Sequence, residues 1–148
     1  MAFNYFDSQT AIYIHDRIID NSGGFHGYKD LGLLESTLHQ LENDFYYPEL
    51  EHKLTHLLFS INKNHCFSDG NKRASLSLCT YFLTINNLGA LVEKFTLEME
   101  NIVVDVACNI IDRDLLFEII CSKLYEVEFS EELKLKIMYA KLSDLDKL

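Results

Sequence analysis

The chain has 148 residues, 48% of them hydrophobic, one Pro, six Gly and a net charge of −10. This length and apolar content suit one folded domain spanning 1–148 with a real core, and argue against a disordered chain. The acidic balance argues against a nucleic-acid-binding surface over most of the protein and favours a basic docking partner. No apolar run approaches the ~20 residues of a membrane-spanning helix, and Met1-Ala2-Phe3-Asn4 lacks the basic start of a secretory signal. A cytoplasmic, reducing setting is therefore expected. The four cysteines form no CxxC pair, and Cys79, Cys108 and Cys121 lie in apolar helical runs as expected for buried free thiols.

Scarcity of Pro and Gly favours helices. Asp7 or Ser8 caps a first helix whose apolar side carries Ala11, Ile12, Ile14, Ile18 and Ile19. His15 lies near that side and reads as a core histidine bonded to a neighbour. Asn21-Ser22-Gly23-Gly24 ends the helix. Phe25 to Asp30 follows with no clear period and reads as an exposed loop or short ribbon. Asp30 caps a short second helix through Leu33, Leu34 and Leu38, and Glu42 to Tyr47 forms a loop. Pro48 suits the first turn of a third helix, where its missing N–H costs nothing. That helix carries Leu50, Leu54, Leu57, Leu58 and Ile61 at helical spacing. It also carries His52 and His56 at i, i+4, a spacing able to bind zinc. The Glu precedes the first His, so the metalloprotease pattern is absent, and a solvated helix face is the expectation.

Between this helix and the next lies His65-Cys66-Phe67-Ser68-Asp69-Gly70-Asn71-Lys72-Arg73. Leu76, Leu78, Cys79, Phe82 and Leu83 follow, apolar over more than one face as in a central buried helix. The stretch thus reads as a loop that becomes a helix N-terminus near Gly70. Such a terminus presents unpaired N–H groups and the positive end of the dipole, a site for phosphate oxygens. Gly70 permits close approach of an anion, Asn71 adds an amide donor, and Lys72 and Arg73 add charge. Asp69 has the wrong sign for phosphate and the right chemistry for a Mg²⁺ bridging phosphates. His65 is suited to take a proton from a hydroxyl near neutral pH. The chemistry indicated is phosphoryl or nucleotidyl transfer from a Mg-nucleotide. Taken singly, an ordinary loop histidine and a solvated Lys-Arg turn are commonplace; their conjunction on an acidic chain favours a site. A P-loop is disfavoured, because Gly70-x-Lys72 lacks the upstream Gly and the preceding strand.

The motif helix runs to about Asn86 and ends at Asn87-Leu88-Gly89. Thr96 caps the next helix, with Leu97, Ile102, Val103, Val106 and Ile110 on its core face. Asp112 or Asp114 begins a further helix with Leu115, Leu116, Ile119, Ile120 and Leu124. Ser130 caps a last one carrying Leu133, Ile137, Leu142 and Leu145.

The nine-residue stretch, extended by Ala74-Ser75, resembles the Fic/Doc family signature, and within it the Doc (death-on-curing) pattern His-Pro-Phe-x-Asp-Gly-Asn-Lys-Arg-Thr-Ala. Upstream, Ile14-His15-Asp16, Gly23-Gly24, Gly27-Tyr28-Lys29-Asp30, Gly32-Leu33-Leu34-Glu35-Ser36 and Tyr47-Pro48 resemble Doc-like sequences in order and spacing. The resemblance covers roughly 6–125 and leaves 126–148 as a C-terminal helical extension. It implies an all-α fold, a compact helical bundle of the Fic/Doc type with a loop–helix active-site motif and a short flap. By it, His65 is the catalytic base, Phe67 the buried loop anchor and Asp69 the Mg²⁺ ligand. Gly70, Asn71, Lys72 and Arg73 form the phosphate-binding helix start, with Lys63 as a preceding basic residue. Gly24, Phe25, His26, Gly27 and Tyr28 fall in the flap that holds a target segment by main-chain pairing, and His15 is architectural.

AMP-transferring Fic enzymes carry Gly at the position of Lys72 and a second Arg farther along the helix. Here Lys72 fills that anion subsite, and Leu76 and Ser77 supply no second Arg. In Doc-like proteins this accompanies a reversed nucleotide pose and transfer of the γ-phosphate. The resemblance therefore implies a toxin using Mg²⁺ and ATP to phosphorylate a target protein, a translation factor of which elongation factor Tu is the archetype. A cognate antitoxin would silence it. The alternatives are AMP transfer and a catalytically idle Fic-like binding module. Cys66 in place of Pro and Ala74-Ser75 in place of Thr-Ala remove none of the proposed chemical groups. Thr96, Glu100 and Asn101 fit the loose inhibitory pattern Ser/Thr-x-x-x-Glu-Gly/Asn, a match read as coincidence.

Overall fold

The computed structural model describes residues 2–147. Among them are seven α-helices: α1 (Ser8–Ser22), α2 (Leu31–Leu41), α3 (Leu50–Asn64), α4 (Asn71–Ile85), α5 (Val92–Ala107), α6 (Arg113–Tyr125) and α7 (Glu131–Leu145). A short 3-10 turn, Gly89–Leu91, leads into α5. The all-α expectation holds, and the one β-type pairing among the described residues is an isolated bridge between Tyr28 and Phe67.

Four caps form where short polar side chains precede apolar periodicity. Asp7, Asp30, Asp112 and Ser130 accept hydrogen bonds from the N–H groups of Thr10, Leu33, Leu115 and Leu133 at 2.8–3.1 Å. Two other helix starts differ from expectation. Pro48 precedes α3 by two residues, and Glu49 takes the cap position. Helix α5 begins at Val92, so Thr96 sits inside it. Its buried face is Phe95, Met99, Val103 and Val106, while Leu97 is turned out and exposed.

Helix α4 is the central element, packed against α1, α3 and α5. Leu78, Cys79, Phe82 and Leu83 are fully buried on it. Helix α3 packs on α2, α4, α5 and α6, and contributes Leu54, Leu57, Leu58 and Ile61 to the same core. The two helices that flank the motif are thus the most thoroughly enclosed, which holds the intervening loop at both ends. Of the cysteines, Cys79 is buried as expected, whereas Cys108 closes α5 and is exposed and Cys121 is half-buried.

Two polar side chains of α3 depart from a solvated face. His56 is buried; its Nε2 donates to the Thr37 carbonyl at 3.0 Å and Nδ1 lies 3.3 Å from Ser60 Oγ. His52 lies at the edge and accepts the Glu49 N–H on Nδ1 at 3.3 Å. Lys53 is fully buried, donating to the Leu41 carbonyl at 2.8 Å and to Asp44 at 2.9 Å beneath the rings of Phe3 and Tyr5.

Burial pushes the His56 imidazole down from 6.5 to about 4. Above pH 6.5 both folded and unfolded chains hold it neutral. As pH falls toward 4 the unfolded chain takes up a proton that the folded chain refuses, so stability declines over that window. The loss is expected to reach about 3 kcal/mol. His56→Gln, which keeps a donor for Thr37, should flatten this limb when unfolding free energy is measured from neutral to acid pH. An unchanged slope in the variant would assign the acid sensitivity to other groups.

Candidate active site

The site begins where α3 ends. His65 closes the helix in the left-handed conformation (φ 51, ψ 47), which turns the chain sharply and leaves the imidazole exposed. Gly70 opens α4 with φ 73, also left-handed. A Cβ there would lie 3.1 Å from Ile19 Cδ1 and 3.2 Å from an Arg73 nitrogen, so glycine answers both a conformational and a spatial demand. Gly70 supplies no side-chain cap to α4. The first N–H groups of the helix, from Asn71 onward, consequently have no capping acceptor and can serve an anion.

The loop between is clamped from several sides. Phe67 is buried and its ring stacks on His15, centroids 4.1 Å apart and planes 3° apart. His15 Nε2 donates to the Asp69 carbonyl at 2.6 Å, and Nδ1 faces Asp16 at 3.0 Å. The Asn71 side chain spans Phe67, donating to its carbonyl and accepting its N–H, both at 3.1 Å. The amide of Asn71 is thereby committed to the loop, and what it offers an anion is its main-chain N–H.

The flap is sewn to the same loop. Lys29 and Asp30 donate N–H to the Cys66 carbonyl at 2.7 and 3.1 Å, and Ser68 N–H reaches the Gly27 carbonyl at 3.3 Å. Gly27 N–H donates to Asp16 at 3.1 Å. Burial raises the Asp16 carboxyl, but hydrogen bonds from Gly27 and His15 outweigh it and hold the group below its ordinary value. Phe25 N–H donates to Asp69 at 3.2 Å. A Cβ on Gly24 would fall 2.5 Å from Asp69 Oδ2, so the flap approaches this carboxylate as closely as it does because Gly24 has no side chain.

His65, Ser68 and the run from Asp69 to Arg73 line one open cavity of about 520 Å³, whose far wall includes Asn62 and Ala107. Base, carboxylate and cations expected from the motif are therefore brought together. Lys72 is exposed along this wall. Arg73 is braced by Ser22 Oγ and by the Gly23 carbonyl at 2.9 Å. Lys63 does not line the cavity; its ammonium is taken by Asn109 and by the Val106 carbonyl at the end of α5. Within the flap, Gly24 and Phe25 border Asp69, while His26 turns away to Asp20 at 2.6 Å. Tyr28 pairs its backbone with Phe67.

Cys66, the thiol nearest the base, is buried and pushed up to about 11 by burial and by Asp30. It stays a neutral thiol at physiological pH and is no nucleophile. Asn62 went unread in the sequence; it lies one helical turn before His65 on the same face, and that spacing is the signal that would have found it. Ser68 fills the variable position of the motif, and Asp16 takes its place at the flap, accepting the Gly27 N–H, through tertiary placement.

A divalent cation fits the residues present. The Asp69 carboxylate accepts N–H groups from Gly70 at 2.8 Å and from Phe25, which leaves lone-pair capacity on a side chain that lines the cavity. No group of three or more His, Cys, Asp or Glu side chains gathers for a metal among the described residues. A single carboxylate is the arrangement of a Mg²⁺ that arrives with nucleotide phosphates, in contrast to one held in an all-protein cage.

The all-α bundle thus presents an exposed histidine beside a helix start with no side-chain cap and two cationic residues in its first turn. The Fic/DOC family model matches residues 5–83, from the N-terminal arm through α4. Toxin Doc of Mycolicibacterium smegmatis (strain ATCC 700084 / mc(2)155) is 31% identical over 96 residues, covering 62% of this chain and 74% of that protein. The chain belongs to the Fic/Doc family, and its likeness to a Doc protein supports the Doc-like branch. No helix among the described residues is long and apolar enough to cross a membrane.

Proposed function

We propose that this chain is a Doc-like toxin that transfers the γ-phosphate of Mg-ATP to a hydroxyl of a target protein, in the manner of a protein kinase. The observation that carries the reading is the exposed Lys72 on the wall that also holds His65 and the uncapped start of α4. In this reading the N–H groups of Asn71 to Arg73, with the Lys72 ammonium, bind phosphate oxygens. Asp69 would hold a Mg²⁺, which would supply neutralising charge to the phosphates. The target hydroxyl oxygen bonds to the γ-phosphorus as the bond to the β-phosphate oxygen breaks and ADP leaves. His65 takes the hydroxyl proton. The flap backbone from Gly24 to Tyr28 holds the target segment. A translation factor in the cytoplasm, with elongation factor Tu as the first to try, is the proposed target, and a cognate antitoxin the proposed regulator.

The test is to incubate the purified chain with Mg²⁺, a bacterial lysate and ATP labelled on the γ- or the α-phosphate. Label moving from the γ position alone supports phosphate transfer; label from the α position makes the chain an AMP transferase and refutes the role given to Lys72. Transfer of neither by the folded chain, with candidate targets supplied, weighs for an idle binding module. Lys72→Gly, which removes one anion contact at the transferring group, is expected to lower γ-label transfer about 10²-fold.

A further inference from the structure

Helix α7 is amphipathic on two opposite sides. Leu133, Ile137 and Ala140 turn inward against the core, and among the helices α7 packs only on α6. On the outer side Leu135, Met138, Leu142 and Leu145 are 48%, 45%, 46% and 59% exposed. Their spacings of three, four and three residues are those of a heptad seam, with Leu135 and Leu142 at a and Met138 and Leu145 at d. A surface helix satisfied by one buried face does not carry a second apolar stripe without use.

The flanking residues select what covers it. Lys134 and Lys141 stand at g beside the seam, and Tyr139 and Asp146 stand at e. In a parallel pair each g residue meets the e residue five positions on in its neighbour. Two copies would then join Lys141 of one to Asp146 of the other, twice by symmetry, and set each Lys134 over the other's Tyr139. The antiparallel pair on the same seam brings Lys141 against Lys141 of the other copy and Glu132 against Asp146, so like charges meet on both flanks. Within one chain, Lys141 is held only loosely, 3.9 Å from Asp105, and is at liberty to swing to a partner. The helix is already formed and docked through its inner face, so pairing need not nucleate it.

We propose that α7 is a self-association surface through which two copies of this chain pair in parallel along the Leu135–Leu145 seam. No residue of α7 lines the His65 cavity, so the pairing is independent of the chemistry proposed there.

Light scattering and sedimentation of the whole chain across micromolar to submillimolar concentration are expected to show mass rising toward twice 17.2 kDa. Met138→Asp combined with Leu142→Asp, both on exposed positions, should hold the mass at one chain while helicity and melting stay as in the wild type. In a Cys108→Ser background, Leu135→Cys should cross-link to itself on oxidation, because parallel strands juxtapose equal positions. A wild type of one-chain mass throughout overturns the proposal. So does a dimer that survives the double substitution, or one that cross-links only between Leu135→Cys and Leu145→Cys.

Discussion

His65→Ala is expected to lower phosphate transfer by about 10²–10⁴-fold, the range lost when a positioned general base is removed. The imidazole is exposed at the turn out of α3. The groups assigned to the nucleotide are held by other contacts: Asp69 by Phe25, Gly70 and His15, and Arg73 by Gly23. The substitution should therefore leave nucleotide binding near the wild-type value and reduce turnover, a split that equilibrium binding and single-turnover kinetics resolve separately. The backbone at 65 is left-handed, and alanine adopts that conformation no better than histidine, so a small loss of thermal stability accompanies the change. A variant that transfers within a few-fold of the wild type would remove His65 from the mechanism. The buried thiol at Cys66 offers no substitute base, since burial keeps it protonated.

Phe67→Ala is expected to destabilise the fold by about 3–5 kcal/mol, a large share of the roughly 5–15 kcal/mol that holds a domain of this kind together. The ring is 1% exposed, and its removal leaves a void beneath the loop. It also strips the stacking partner from His15, whose Nε2 holds the Asp69 carbonyl. Stability and transfer should fall together, in contrast to His65→Ala. Phe67→Leu, which refills much of the volume but lacks the flat face for His15, should recover more stability than activity. Urea unfolding midpoints and transfer rates of the two variants measure this directly. Equal recovery of both would reduce Phe67 to a space-filling role.

His65 was legible because its surroundings are local, whereas Phe67 was placed as loop anchor by the family resemblance and its stacking partner His15 lies far along the chain. The motif compresses base, anchor, carboxylate and helix start into nine positions, and Asp7, Asp30, Asp112 and Ser130 announce their helices through a side chain and an N–H three residues on. What escaped the sequence depends on partners far along the chain. His56 looks like the solvated side of α3 until Thr37 of α2 supplies a buried carbonyl, and Lys53, unremarked in the sequence, is buried on the carbonyl of Leu41. Lys63 looks like part of the motif until Val106 and Asn109 claim it. Helix α5 has Leu91 at its cap position and so no side-chain cap. The polar Thr96 therefore drew the boundary inward, and with it Leu97 to the wrong face. The Asn71 amide, read as a donor to phosphate, is spent on the Phe67 backbone, a fact set by the shape of the turn and invisible in composition.

The left-handed backbone of His65 carries a consequence for how variants of this chain behave in a population. A non-glycine residue in that conformation costs on the order of 1 kcal/mol, accepted at the point where the imidazole must leave α3 and face the cavity. Under the chemistry proposed for His65, selection at this position would favour placement over folding. Glycine or asparagine, which tolerate the conformation better, would silence the proposed chemistry while relaxing the turn. Silent alleles of this kind would accumulate as abundant, well-folded molecules that escape quality control. Such molecules would keep the surfaces that partners recognise, and would compete for those partners with active copies.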